Sequence, residues 1–328
     1  MHPSSQAAAT VASGPVPVVS VSSVVLATPR RNPDLQVRIS APVTGSRLPI
    51  IVFAHGFGSS LDGYAPLAHY WAAHGFVVIQ PTFLDSRTLS ATPHASHGEA
   101  VKAYLADPRK LQMWRYRAQD LGHILDQLDV LEAAVPGLAG RLDRSRIAVA
   151  GHSFGAQTAG LLLGARVLGP DGDLGEDFTD PRIKAGVLLS VGGRGGDALT
   201  PFATEHFPHL NQSYATLRTP TLVVAGDADH SPLTNRGPAW FTDAYTLSPG
   251  AECLLTLFGA EHMLGGISGY LVTETTDENP ARVAVVQRLT WAYLRSALYP
   301  GDPAWAEACA ALHQSPQPLG QVTCKHQR

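Results

Sequence analysis

From Leu48 onward, short apolar runs recur between longer stretches of helical periodicity. Residues 50–54, 76–80, 146–150, 185–190, 221–225 and 253–258 are almost continuously hydrophobic. Strands that are apolar on both faces and alternate with helices predict a parallel sheet covered on both sides. Upstream, residues 18–27 and 35–41 alternate more loosely and are rich in Val and Ser. They read as antiparallel edge strands joined through Pro29-Arg30-Arg31-Asn32-Pro33. Over about residues 108–135, Leu121, Ile124, Leu125, Leu128 and Leu131 fall on one helical stripe, which assigns Asp120, Asp126 and Asp129 to the polar side. A final helix is expected over about 280–298. The pattern predicts an α/β fold with a mostly parallel central sheet and helices on both faces. Residues 1–17 are small, polar and Pro-containing, and are expected to be disordered. Residues 18–300 read as one domain, and 301–328 as a C-terminal tail.

Composition narrows the class. The 328 residues are 45% hydrophobic and 16% charged, with a formal net charge of −3. Mixed charge of this kind does not point to nucleic acid, and no apolar run reaches the roughly 18 residues of a membrane span. The N-terminus lacks the basic region and apolar core of a signal peptide. The chain is thus expected to stay inside the cell, or to be a mature form whose leader has been removed. Of the three cysteines, Cys253 falls in a core strand and is expected to be an inert buried thiol. Cys309 and Cys324 bracket the Pro-rich tail and form the candidate disulfide pair, which would imply an oxidising compartment. Oligomeric state is not written in the chain.

One motif carries chemistry. Gly151-His152-Ser153-Phe154-Gly155 follows the apolar run 146–150 and precedes a helical pattern. A G-x-S-x-G sequence between strand and helix places its serine, Ser153, at the tip of a sharp turn, as a nucleophile. A side chain at either glycine would crowd that turn. A serine hydroxyl also needs a base, a group that orients the base, and donors for an oxyanion. The strand-like run 221–225 ends in Gly226-Asp227-Ala228-Asp229, and a carboxylate after this strand is the expected acid. Asp229, with Pro232 three residues on, is preferred; Asp227 competes, its alternative being a turn-forming role. The run 253–258 leads into Gly259-Ala260-Glu261-His262. His262 is the one histidine between a late strand and the last helix, and is assigned as general base. The apolar strand 48–54 leads into His55-Gly56-Phe57-Gly58. The N–H of Phe57 and that of Phe154 are the expected oxyanion donors; their rings are free to line a pocket.

Two His-x-x-His pairs, His94/His97 and His206/His209, have spacing that some metal sites use, but neither has helical context or a placed third ligand. The stretches 85–100 and 192–218 leave the carboxyl edge of the sheet, where open α/β folds bind ligands. Both are candidate pocket loops.

Together these segments resemble the α/β-hydrolase superfamily over roughly residues 35–300. More narrowly, they resemble dienelactone-hydrolase-like and bacterial platelet-activating-factor-acetylhydrolase-like esterases, and the related chlorophyllase-like and cutinase-type polyester hydrolases. The resemblance rests on residues 49–58, 151–155, 226–229 and 259–262. It implies a serine esterase acting through an acyl-enzyme on a small-molecule or lipid-like ester, with Ser153, His262 and Asp229 as triad and no cofactor or metal. A lipase, lactonase or polyester hydrolase with the same triad is the alternative, and an inactive binding protein a third reading. The Cys309/Cys324 pair is similar to the C-terminal disulfide of the cutinase-type enzymes. Two positions depart from those enzymes: His55-Gly56-Phe57 replaces their Pro-Gly-aromatic, and Phe154 stands where Met is common.

Overall fold

The central strands are hydrophobic on both sides because helices cover both of their faces. A computed structural model describes residues 14–29, 31–90, 96–273 and 275–325. The chain runs β1 (Val18–Leu26), β2 (Leu35–Pro42), β3 (Leu48–Ala54), α1 (Ala65–Ala73), β4 (Val77–Pro81), α2 (His97–Ala106), α3 (Met113–Asp126), α4 (Leu128–Ala134), β5 (Leu142–His152) and α5 (Phe154–Leu163). It continues through β6 (Arg166–Val167), β7 (Ile183–Leu189), α6 (Pro201–His206), β8 (Gln212–Ser213), β9 (Thr221–Gly226), α7 (Asp243–Leu247), β10 (Ala251–Leu257), α8 (Pro280–Leu298), α9 (Ala304–His313) and β11 (Gly320–Cys324).

Nine strands form one sheet in the order β1-β2-β4-β3-β5-β7-β9-β10-β11. The six strands from β4 to β10 are parallel; β1, β2 and β11 pair antiparallel at the edges. Every residue of β3, β4 and β9 is buried. Successive side chains point to opposite faces. Ile50 and Val52 therefore pack toward the side of α3 and α5, while Ile51 and Phe53 pack toward α1 and α8. Parallel order puts the carboxyl ends of β3, β5, β9 and β10 along one edge, so that loops distant in sequence become neighbours. Among the described residues, no helix is long and apolar enough to cross a membrane.

Three expectations change. The helix read over 108–135 is a short 3-10 turn at Lys110–Gln112 followed by α3 and α4, which separate at Gln127. Asp120 is not on a solvated face. Its carboxyl is buried against the guanidinium of Arg31, also buried, because the connection after β1 folds across α3. The disulfide joins Cys253 to Cys324, and Cys309 is free. The reason is register. The tail folds back as α9 and β11, and β11 pairs along β10 with Cys324 directly opposite Cys253. Cys253 is thus a bridged residue rather than a free core thiol, and Cys309 sits on α9, half-buried, its thiol pushed up to about 11 by burial. Of the N-terminal stretch, residues 1–13 lie outside the described part; Val16 donates its N–H to Ala73 O at 2.9 Å.

Candidate active site

Ser153 stands alone between the end of β5 and the first residue of α5, with φ 55° and ψ −121°. A positive φ on a non-glycine residue is strained and persists only where the surroundings impose it. Here the Ser153 N–H is held by Leu189 O on β7 at 2.9 Å. The flanking glycines are obligatory for steric reasons. A Cβ on Gly151 would lie 2.2 Å from Gly155 O, and one on Gly155 would lie 2.0 Å from Ala54 O. The turn lifts Ser153 to the edge where the loops after β9 and β10 arrive.

Those two loops are stitched together. The N–H of Ala228 donates to Ala260 O at 3.1 Å, and a Cβ on Gly226 would meet that same oxygen at 2.1 Å. Asp227 Oδ1 accepts the Gly259 N–H at 2.6 Å from an exposed position. Asp227 therefore ties loop to loop, while Asp229, fully buried, points at the histidine. His262 Nδ1 lies 3.1 and 3.0 Å from the two carboxylate oxygens of Asp229, and His262 Nε2 lies 2.8 Å from Ser153 Oγ. With Asp229 ionised, Nδ1 carries the proton, which leaves Nε2 unprotonated and aimed at the serine hydroxyl. The loop that carries His262 is held from behind. Asp277 accepts the N–H groups of Glu261 and Gly265 at 2.9 and 3.0 Å, and pairs with Arg282 of α8 at 3.0 Å.

Phe57 and Phe154 lie at the carboxyl ends of two neighbouring strands, β3 and β5. Phe57 follows β3 and Phe154 opens α5, where N–H groups have no partner inside the helix. Their rings are linked by a chain of aromatic contacts. Phe57 meets Tyr104 of α2 edge-on at 5.4 Å between centroids. Tyr104 stacks with Phe207 at 5.7 Å, Phe207 meets His209 edge-on at 5.9 Å, and His209 stacks on Phe154 at 4.9 Å. The 192–218 stretch thus supplies Phe207 and His209 to a row of rings that ends on Phe154, the residue after the serine.

A family model described as chlorophyllase matches residues 10–166, just under half of the chain. Platelet-activating factor acetylhydrolase of Cavia porcellus is 29% identical over 138 residues, 35% of this chain and 31% of that protein. The Bos taurus acetylhydrolase is 30% identical over 141 residues, 35% of this chain and 32% of that one. Cutinase 2 of Thermobifida cellulosilytica is 25% identical over 224 residues, 68% of this chain and 63% of the cutinase. The chain has the α/β-hydrolase fold. It spans about a third of the length of the acetylhydrolases it matches and 63% of that cutinase.

Within this fold, the described histidines of the two His-x-x-His pairs sit in aromatic contacts. His209 is buried against Phe154, His206 meets Phe202 edge-on, and His97 meets Phe57 edge-on. His94 lies outside the described residues. Among the described residues no group of three or more His, Cys, Asp or Glu side chains is arranged to hold a metal ion.

Sequence reasoning passed over several buried polar residues around the site. His152 Nε2 donates to His262 O at 2.7 Å, and its Nδ1 lies 2.7 Å from Tyr64 Oη, which also takes the Gly56 N–H at 3.1 Å. The His262 carbonyl only accepts, so His152 is a neutral ring protonated on Nε2, and the Tyr64 hydroxyl donates to Nδ1. His55 is also neutral. Its Nε2 accepts the Phe83 N–H at 3.1 Å, so its Nδ1–H faces Gly56 O at 2.6 Å. Burial pushes both rings down to about 3. Arg117 and Asp85 form a fully buried pair behind the loop that carries Phe57. The signal that marks such residues is burial of a polar group, and no local pattern reports it.

Proposed function

We propose that this chain is a serine hydrolase that cleaves a carboxylic ester through an acyl-enzyme. The observation that carries the reading is the hydrogen-bonded row Ser153 Oγ, His262 Nε2, His262 Nδ1, Asp229 on a strained strand-to-helix turn. In this reading Ser153 Oγ attacks the ester carbonyl carbon while His262 Nε2 takes its proton. Asp229 holds the ring in the required tautomer and stabilises the imidazolium. The carbonyl oxygen becomes an oxyanion and is met by the N–H groups of Phe57 and Phe154. Collapse of the tetrahedral intermediate breaks the C–O bond to the alcohol, which leaves with the proton from His262. Water, deprotonated by His262, then attacks the acyl-Ser153 carbonyl and releases the carboxylic acid. The relatives named as an acetylhydrolase and a cutinase support an ester as the bond cleaved. The aromatic chain from Phe57 to Phe154 favours an uncharged, apolar acyl or alcohol part.

A fluorophosphonate probe tests the reading. Labelling of the wild type that disappears in Ser153→Ala supports it. A wild type that neither labels nor hydrolyses any p-nitrophenyl ester, from acetate to long acyl chains, overturns it in favour of a binding protein built on a hydrolase fold.

A further inference from the structure

The loop bearing Phe57 is gripped on both sides by one buried ion pair. Arg117 of α3 and Asp85, which follows β4, have side chains 1% and 0% exposed. The pair is bidentate, with Nε to Oδ1 at 2.8 Å and Nη2 to Oδ2 at 2.7 Å. Its other polar atoms reach the loop. Arg117 Nη1 donates to His55 O at 2.8 Å, and Nη2 reaches Gly56 O at 3.5 Å. Asp85 Oδ2 accepts the Gly58 N–H at 3.1 Å. The peptides before and after Phe57 are therefore each anchored by one member of the pair. The guanidinium also lies over the Phe154 ring, 4.1 Å from its centroid, with Phe83 at 4.4 Å.

We propose that Arg117 and Asp85 are positioning residues that aim and polarise the N–H of Phe57 as an oxyanion donor. The inference rests on the proposed role of that N–H. The argument begins with planarity. In a trans peptide, C=O and N–H point in opposite directions, so whatever fixes Gly56 O fixes the direction of Phe57 N–H. Gly56 O is held by His55 Nδ1–H at 2.6 Å and by Arg117 Nη2 at 3.5 Å. A cation at the carbonyl end of an amide also draws electron density from its N–H end, which strengthens the donor where negative charge develops. The pair stays ionised. Burial is the largest influence on Asp85 and raises its pKa, but the charge and hydrogen bonds of Arg117, with the Gly58 N–H, help bring it below the ordinary value. A buried pair is weak support for stability, because desolvation offsets much of its attraction. Stability alone therefore does not explain why its remaining donors and acceptor converge on one loop.

Two variants test this in the full chain. Arg117→Lys keeps a charge beside Asp85 but loses the flat fork that reaches two carbonyls. The double variant Arg117→Gln/Asp85→Asn removes both charges and leaves none buried and unpaired. On p-nitrophenyl butyrate each is expected to lower kcat about tenfold to a hundredfold, with KM within about twofold of wild type. The affinity for phenylboronic acid, whose tetrahedral adduct places an oxygen in the oxyanion hole, should fall by the same factor as kcat/KM. The shape of the pH profile of kcat/KM should not change. Wild-type kcat in both variants overturns the inference, as does a loss that falls on KM or shifts the pH profile. Should neither variant fold, the crystal structure of the wild-type diethylphosphoryl adduct decides. The adduct's phosphoryl oxygen should lie within hydrogen-bond distance of the Phe57 and Phe154 N–H groups while Arg117 remains on Gly56 O. An oxygen on both donors with Arg117 withdrawn from Gly56 O sinks this inference alone. An oxygen bound elsewhere sinks the oxyanion reading beneath it.

Discussion

His152 donates through Nε2 to the backbone carbonyl of His262, 110 residues away, at 2.7 Å. Through Tyr64 the same ring is tied to the N–H of Gly56. One neutral imidazole thus joins the loop of the proposed base to the loop of a proposed oxyanion donor. The arrangement requires that His152 never carry two protons, since Nδ1 must accept.

This requirement has a pH signature. His55, His152 and His209 are each lowered from 6.5 to about 3, by burial first. Arg117 comes second for His55 and His209, and His262 second for His152. The unfolded chain binds protons at these sites below about pH 6.5, whereas the folded chain does not until about pH 3. Stability therefore falls as pH falls through that window, by up to about 1.4 kcal/mol per pH unit for each histidine. Melting temperatures measured at pH 7, 5 and 4 should drop progressively, and His209→Gln should reduce the slope. A melting temperature that stays flat from pH 6.5 to 4 contradicts the neutral assignments.

The two acids after β9 separate cleanly by mutation. Asp229→Asn presents an amide to His262 Nδ1 and favours the wrong tautomer, so kcat should fall about ten-thousandfold. Asp227→Asn keeps a carbonyl oxygen for the Gly259 N–H and should be mild. The opposite ranking in steady-state kinetics on one ester would exchange their roles.

The disulfide is checked by peptide mapping without reductant. Cys253 and Cys324 should appear as one cross-linked peptide, with Cys309 alkylated only after denaturation because its thiol is half-buried and its pKa is raised. The bridge spans 71 residues of sequence. In the chain-entropy account, closing a loop of that size contributes about 4 kcal/mol. Reductant should therefore lower the melting temperature. A cross-link between Cys309 and Cys324 would mean that β11 is not in this register.

Phe57→Ala keeps the proposed N–H donor and removes the ring that meets Tyr104 and His97. It should change acyl-chain preference across p-nitrophenyl esters more than it changes kcat on the acetate, which is too small to need the ring. An equal loss on every ester, in a folded protein, would show that the ring sets the loop's backbone instead.

The chain by itself determined the parts that depend on a few neighbouring residues. Double-sided apolar runs marked the six parallel strands, because a strand covered on both faces has no polar side. Gly151 and Gly155 marked the turn at Ser153, because only glycine clears Gly155 O and Ala54 O there. Asp229 and His262 could be nominated because each follows such a strand. Only the tertiary structure decided what depends on sheet order and returning segments. Asp227 and Asp229 are two residues apart in the same polar loop. Which one meets His262 and which meets Gly259 follows from β9 and β10 lying side by side. Cys324 meets Cys253 rather than Cys309 because α9 carries the tail back to pair with β10, a non-local register that no cysteine spacing encodes. Asp120 read as an ordinary polar position, and nothing in the sequence singled out Arg117 or Asp85, since a charged residue looks the same in sequence whether water or an ion-pair partner solvates it. Their burial arises when α3 packs onto the sheet and the connections after β1 and β4 close over it. That is a property of the assembled layers and not of any window of the chain.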